Sequence, residues 1–265
     1  MDTKSRLLHT VGKIPLVGTA LRRMARRYPE GSVVTIGAGL VKGLKWKRYH
    51  RHLSAYWLGH YEIALQEAVA RELRMGGVFY DVGANAGFFS AFAARIAGET
   101  GRVVAFDPLD ENCSSVREQL EINGYVARAA IRKEAVSDSI GSATFNVGGE
   151  GDLMGKLGAP REHQTKTITV PTVTLDSVLL TGERRPTLLK VDVEGAEAAV
   201  LRGAAKLFEA PLPCWIIEIH GDEVGEEVRL LMKERYQFFE LHGAPLPEGA
   251  KLPHHVIAKG RQLSV

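Results

Sequence analysis

The chain predicts an open α/β fold with a mostly parallel sheet covered by helices on both faces, and three observations carry that prediction. Short apolar runs alternate with helix-length periodic segments from Leu58 onward. The run Val78-Phe79-Tyr80-Asp81-Val82 passes at once through Gly83 and Gly87 into the apolar-periodic segment Phe88 to Ile96, which describes a buried strand turning tightly into a helix. A further run, Arg102 to Phe106, ends in Asp107, twenty residues beyond Gly87, where the carboxyl end of a neighbouring strand would lie.

Taken in order, residues 1–57 read as a basic extension and 58–265 as the main domain. Leu7, Val11, Ile14, Val17, Leu21 and Met24 recur at three- and four-residue steps, predicting an amphipathic helix broken near Pro15. Residues 32–50 read as a β-hairpin around Gly37, Gly39 and Gly43. Its start imitates a dinucleotide-binding turn, but no helix pattern follows and the third glycine falls one place late. The main domain then predicts helix 61–74, strand 78–82, helix 86–97, strand 102–106, helix 110–123 and a short strand at 133–137. Paired strands at 141–147 and 166–175 follow, then strand 186–193, helix 195–208, strand 214–220, a helix near 223–235 and strands near 236–242 and 254–259.

Composition bounds the function classes. A hydrophobic fraction of 45% and a charged fraction of 25% suit a chain with a sizeable core. Cys113 and Cys214 form neither a disulfide scaffold nor a zinc pattern, so a reducing cytosolic setting is expected. No run approaches the ~18 apolar residues of a membrane span. Lys13 interrupts the N-terminal apolar stretch, so no signal peptide is expected. The formal charge of +3 is unevenly spread: residues 1–60 hold 12 basic and 2 acidic residues, and 61–265 hold 22 and 29. The basic stretch 1–30 could lie weakly on an acidic membrane surface or be a helix with a solvated arginine face. No nucleic-acid partner is expected, since no RNA-binding motif accompanies the charge. Oligomeric state is not legible.

The chemistry-bearing residues fall in two groups. In the first, Asp81 precedes Gly83 by two and Gly87 follows by four, a spacing that departs from the dinucleotide fingerprint and suits S-adenosylmethionine, whose amino-acid tail needs carboxylate and backbone partners. Asp107 is placed to accept hydrogen bonds from both ribose hydroxyls, and Glu134-Ala135-Val136 to deliver Ser137 and Asp138 to the same sheet edge, beside an adenine. The second group is Leu188 to Glu197, in which Lys190 and Asp192 share one face of a strand. A lysine in an apolar strand needs a partner, and Glu218 or Glu194 is expected to supply it. Asp192, Glu194 and His220 are the candidate bases for an alcohol acceptor, with His220 equally readable as a core histidine. No metal is expected, although Asp192, Glu218 and His220 could form a hard-cation set.

Together these residues resemble the FkbM family of methyltransferases. The resemblance runs from about Gly31 to about Gly243 and rests on Lys42-Gly43-Leu44, Gly59-His60-Tyr61-Glu62, DVGANAG at 81–87, Phe106-Asp107-Pro108, the 112–123 helix, Ala135-Val136-Ser137-Asp138, Val173-Thr174-Leu175-Asp176 and LLKVDVEGAE at 188–197, followed by Leu201-Arg202-Gly203-Ala204. It implies a Rossmann-like class I methyltransferase fold with a seven-stranded sheet, and S-adenosyl-L-methionine held over Asp81, Gly83, Asn85, Gly87 and Phe88. It further implies Glu62 or Tyr61 near the cofactor, Asp107 on the ribose, Ser137 near the adenine, and segment 139–185 on the acceptor side. The acceptor it implies is a hydroxyl of a glycan or small natural product. Family members more often carry Glu at the place of Asp107, which shortens the reach to the ribose here. A nicotinamide-dependent oxidoreductase using Gly37 and Gly39, an RNA methyltransferase using the basic segment, and a non-catalytic binding module remain the alternative readings.

Overall fold

The computed structural model describes residues 28–147, 155–157 (backbone) and 166–261. The helix expected within the first thirty residues falls outside them up to residue 27, as does most of the Gly149–Gly158 link.

A central sheet of seven strands organises the chain. Its members are β3 (Val78–Val82), β4 (Arg102–Phe106), β5 (Ala129–Arg132), β10 (Leu188–Val191), β11 (Cys214–Glu218), β12 (Tyr236–Phe239) and β13 (His255–Gly260). They are arranged in the order β12-β13-β11-β10-β3-β4-β5. The five strands from β11 to β5 are parallel, and β13 runs antiparallel to both of its neighbours. This is a seven-stranded, mostly parallel Rossmann-like sheet with one antiparallel strand near its edge. Strand order reverses between β3 and β10, and in such sheets ligands bind beyond the carboxyl ends of the strands at that reversal.

Burial on both faces explains why β3 is wholly buried and shows no polar alternation. Phe79, Val103, Leu188 and Ile216 point to one face and meet the helix α3 (Phe88–Ala97) through Phe89 and Phe92. Tyr80, Val104, Leu189 and Trp215 point to the other, where Val200 and Leu201 of α6 (Glu197–Arg202) and Val228 and Met232 of α7 (Asp222–Met232) cover them. Each such large side chain contributes roughly 1.5–3 kcal/mol by leaving water. The same alternation puts two polar residues, Asp81 and Lys190, on the α3 face, directly opposite each other in the parallel register. Among the described residues no helix is long and apolar enough to cross a membrane.

The hairpin β1 (Val33–Thr35) and β2 (Lys45–Lys47) is a two-stranded antiparallel ribbon and not a strand feeding a helix. That geometry removes the dinucleotide turn that Gly37 and Gly39 imitate. The ribbon is held to α4 (Asp110–Ile122) by Gln119, whose amide accepts the Lys47 N–H at 2.9 Å and donates to the Lys47 carbonyl at 2.9 Å. Trp46, 1% exposed, enters the core beside Phe88 and Tyr56, the latter on α1 (Ser54–Leu58). Helix α2 (Ile63–Glu72) completes this side.

One strand differs from expectation. The short strand expected at 133–137 splits: Ala129–Arg132 is the sheet edge beside β4, while β6 (Ala135–Val136) leaves the central sheet and pairs in parallel with β9 (Lys166–Val173). Strand β7 (Gly141–Val147) pairs antiparallel with β9, and β8 (Gly155–Leu157) with β7, giving a four-stranded sheet over the cleft side. Ala129-Ala130-Ile131-Arg132 carries little β-branched signal and is only half-buried, which hides it from periodicity.

Candidate active site

The carboxyl ends of β3, β4, β10 and β11 open into one cleft with an open volume of about 1040 Å³. Gly83, Asn85, Phe88, Asp107, Lys190, Asp192, Glu194, Glu218 and Glu62 all line it. The chain is strained around it. Three described non-glycine residues have left-handed backbones, Glu62 at φ 43°, Asn85 at φ 49° and Glu194 at φ 55°, and all three face this cleft. A left-handed L-residue costs roughly 1–2 kcal/mol, so such positions gather where function over-determines the backbone.

Gly83 explains how the two halves of the cleft meet. A Cβ there would lie 1.9 Å from the Asp192 carbonyl oxygen, so the turn after β3 packs backbone to backbone against the end of β10. Gly87 serves a different contact. Its Cβ would lie 2.8 Å from Val116 Cα, which makes it the close approach between α3 and α4, behind the cleft wall.

Asp107 is almost fully gripped. Its Oδ1 accepts the Leu109 N–H and the Asn112 side-chain N–H, each at 3.0 Å, and its Oδ2 accepts the Asn85 N–H at 2.9 Å. A carboxylate offers about four acceptor positions. One is left on Oδ2, enough for one ribose hydroxyl where the sequence predicts two. Burial pushes its pKa up to about 7 against the opposing pull of these three donors.

Asp81, 0% exposed, sits behind the cleft and does not line it. Its Oδ2 accepts from the Ser90 hydroxyl at 2.6 Å, and its Oδ1 has no hydrogen-bond partner and lies 3.9 Å from Lys190 Nζ. Lys190 completes this interior with a 3.0 Å ion pair to Asp192 Oδ2. The partners expected for Lys190, Glu218 and Glu194, are thus replaced by Asp192 and Asp81. Register decides this, because Lys190 stands opposite Asp81 across β3 and two residues from Asp192 along its own strand. Burial disfavours the ammonium, but the charges of Asp192, Asp81 and Glu62 outweigh it and hold Lys190 cationic, above its ordinary range.

Ser137 and Asp138 lie outside the cleft lining, whose wall at this point is Glu134, Ala135 and Val136. Because β6 joins the second sheet, the chain carries Ser137 to a backbone bond with the Val173 carbonyl and leaves Asp138 on the surface in an ion pair with Arg202 at 3.2 Å.

His220 does not itself line the cleft but stands behind its β10–β11 end among four carboxylates. Its Nδ1 lies 2.8 Å from Glu197 Oε1, and its Nε2 faces Glu218 Oε1 at 3.5 Å, Glu194 Oε2 at 3.7 Å and Asp192 Oδ1 at 4.0 Å. Burial opposes the charged ring, but the hydrogen bond to Glu197, the nearby Glu218 carboxylate and the surrounding charges prevail and push its pKa up to about 10. His220 is thus a charge partner of these four carboxylates. Glu62 carries a raised pKa, chiefly from burial and partly offset by Lys190, and its Oε2 is buried without a hydrogen-bond partner.

Sequence reasoning missed the aromatic wall of Tyr56 and Phe106 and the histidines beside Glu218, His254 and His255, each with Nε2 at 3.1 Å. The pair His254-His255 at the start of the last strand was the available signal, legible only once β13 is known to run against β11.

The residues present fit S-adenosylmethionine. A cradle that excludes any Cβ at Gly83, an acceptor position on Asp107, a buried unpartnered oxygen on each of Glu62 and Asn85, and the rings of Phe88, Tyr56 and Phe106 meet in one space.

Comparison with known proteins agrees with this geometry. The model of the methyltransferase FkbM domain matches residues 81–248. Hexuronic acid methyltransferase AglP of Haloferax volcanii is 26% identical over 158 residues, covering 59% of this chain, and the chain spans 62% of that relative's length. Among solved structures, the methyltransferase FkbM from Methylobacillus flagellatus has a TM-score of 0.47 at 15% identity, over 69% of this chain and 43% of its own. The O-methyltransferase TomG from Streptomyces achromogenes, solved with S-adenosylmethionine, has a TM-score of 0.46 at 12% identity, over 76% of this chain and 82% of its own. Matched over more than half of its length by the family model, this chain belongs to the FkbM family of S-adenosylmethionine-dependent methyltransferases.

Proposed function

We propose that the protein is an O-methyltransferase acting on a hydroxyl of a sugar or small natural product, with a hexuronic acid or its glycoside as the first acceptor to test. The observation that carries this reading is the backbone contact between Gly83 and Asp192, which sets the carboxylates at the end of β10 against the turn that would cradle the donor. A hydroxyl acceptor needs a base at that place, and Glu194 lines the cleft there. S-adenosylmethionine supplies a sulfonium methyl group. Glu194 would accept the hydroxyl proton as that oxygen takes the methyl group. Asp192, tied to Lys190, holds the acceptor hydroxyl in line. The hexuronic acid activity in the name of the Haloferax volcanii relative supports a sugar acceptor.

Labelled S-adenosylmethionine, offered with a panel of free and glycosidic hexuronic acids and neutral sugars, tests the reading. Transfer to a sugar oxygen is expected, with Glu194→Gln lowering kcat by about 10²–10⁴ while leaving S-adenosylhomocysteine affinity within about threefold. Transfer to RNA, or to an acceptor nitrogen, would replace it.

A further inference from the structure

We infer that Asp192, Glu218 and His220 form a binding site for one divalent first-row transition cation at the acceptor end of the cleft. One ligand atom from each of the three lies within 4.8 Å of the others. The spacing around His220 is the first argument. Its Nε2 faces three carboxylate oxygens at 3.5, 3.7 and 4.0 Å, all beyond ordinary hydrogen-bond length, as ligand atoms are when they surround a common centre about 2.0–2.2 Å from each.

The other ring nitrogen gives an independent argument. His220 Nδ1 lies 2.8 Å from Oε1 of Glu197, a carboxylate that is 0% exposed and also accepts the Gly195 N–H at 2.9 Å. Metal-binding histidines characteristically donate their second N–H to such a carboxylate, which fixes the ring and aims the remaining nitrogen at the ion. Here Glu197 aims Nε2 into the gap between Asp192 and Glu218. Glu197 Oε2 is itself buried without a hydrogen-bond partner.

Charge balance points the same way. Asp192, Glu194, Glu197 and Glu218 converge on the His220 imidazole, Lys190 is already engaged by Asp192 and Asp81, and His254 and His255 meet Glu218 from its other side. One imidazole with two carboxylates suits the ions between the hard and soft extremes, Mn²⁺, Fe²⁺, Co²⁺ and Zn²⁺, better than Ca²⁺ or Mg²⁺, which take oxygen ligands. Asp192 and Glu218 line the cleft, so the open coordination positions face the space where the acceptor hydroxyl is placed under the O-methyltransferase reading. The function given to the ion, orienting that hydroxyl, rests on that reading; the site does not.

The test uses the full chain, stripped with a chelator and titrated with Mn²⁺ while free ion is followed by electron paramagnetic resonance, with Zn²⁺ as competitor. One ion per chain is expected. Asp192→Asn, Glu218→Gln and His220→Ala should each weaken binding at least tenfold. Glu197→Gln, which touches no ion, should weaken it about 10–100-fold. Calorimetry with S-adenosylhomocysteine on the same preparations reports whether each variant keeps its fold and donor site. Absence of saturable Mn²⁺ and Zn²⁺ binding by a chain that still binds S-adenosylhomocysteine overturns the site. So does binding that resists His220→Ala but is lost in His255→Ala, which would put the ion on the other side of Glu218, where Glu62, Glu218 and His255 also converge. Mn²⁺ binding without methylation of any sugar would leave the site standing and sink the acceptor reading alone.

Discussion

At the β4 side of the cleft three donors grip one carboxylate, whereas at the β10–β11 side four carboxylates surround one imidazole. Asp107 is held by the Asn85 and Leu109 backbone and the Asn112 amide, all within a few residues of the glycine turn or of Asp107 itself. Such a site is pre-organised by local chain geometry. Asp192, Glu194, Glu197 and Glu218 come instead from two strand ends and a helix start, and the cationic or protonatable side chains of Lys190, His220, His254 and His255 sit between them. The first end is built to hold one constant molecule. The second is built around charge, and its occupancy by protons or cations sets what it can accept.

The largest effect is expected at the joint between the two ends. Lys190→Met leaves buried Asp81 without its one cationic neighbour among the described residues and releases Asp192. Breaking a buried pair on one side costs about 3–5 kcal/mol, to be read from urea unfolding. Adding Asp81→Asn should recover most of that loss, because the second change removes the stranded charge. A loss below about 1 kcal/mol for Lys190→Met would mean that the acceptor end does not depend on this pair.

Gly83→Ala attacks the same joint through the backbone. The residue sits at φ 83°, and the new Cβ would meet the Asp192 carbonyl oxygen at 1.9 Å. Left-handed strain and the clash together should cost roughly 2–4 kcal/mol, with loss of S-adenosylhomocysteine binding by calorimetry. Retained affinity would show that the two ends do not need this contact.

How much of each end could be read from sequence follows from the same contrast. The glycine turn, Asp107 and the strands at 78–82 and 102–106 are local patterns, and the structure has those strands at the same residues. Lys190 was visible as a lysine needing a partner, but the partner depended on the β3–β10 register, which no local pattern encodes. Periodicity read one strand where two different sheets begin, at Ala129–Arg132 and Ala135–Val136, because pairing of β6 with a strand more than thirty residues later is a tertiary choice. His254 and His255 reach Glu218 only because β13 runs antiparallel to β11.

A smaller effect separates the two ends by pH. The folded pKa of Asp107, raised to about 7, lies above its unfolded value, so the unliganded fold binds the extra proton between about pH 4 and 7. Its contribution to stability is therefore greatest at low pH and is lost as pH rises through 7. A ribose hydroxyl donating to Oδ2 favours the ionised form, so donor affinity should run the other way, full above pH 7 and weaker below. Calorimetry with S-adenosylhomocysteine from pH 5.5 to 8.5 should show this fall, and Asp107→Asn should flatten it while weakening binding by roughly tenfold at pH 8, about 1.4 kcal/mol. A wild-type profile that is already flat would take Asp107 out of the donor site.

The smallest expected effect concerns Asp138, which sequence places beside the adenine and the structure places on the surface. It pairs with Arg202 at 3.2 Å, both side chains about 40% exposed, and it does not line the cleft. An exposed pair of this kind contributes about 0–1 kcal/mol, screened by salt. Arg202 also has Glu227 as a second acidic partner, which keeps its charge compensated when Asp138 is removed. Asp138→Ala should therefore shift urea unfolding by less than about 1 kcal/mol and leave S-adenosylhomocysteine affinity within about twofold at any salt concentration. Glu134, on the cleft wall, is the contrasting position: Glu134→Ala should weaken the donor without a comparable change in stability. If Asp138→Ala weakens the donor tenfold while Glu134→Ala does not, the chain must turn at β6 when the donor binds, and the rigidity assigned to the β4 side would extend no further than Asp107.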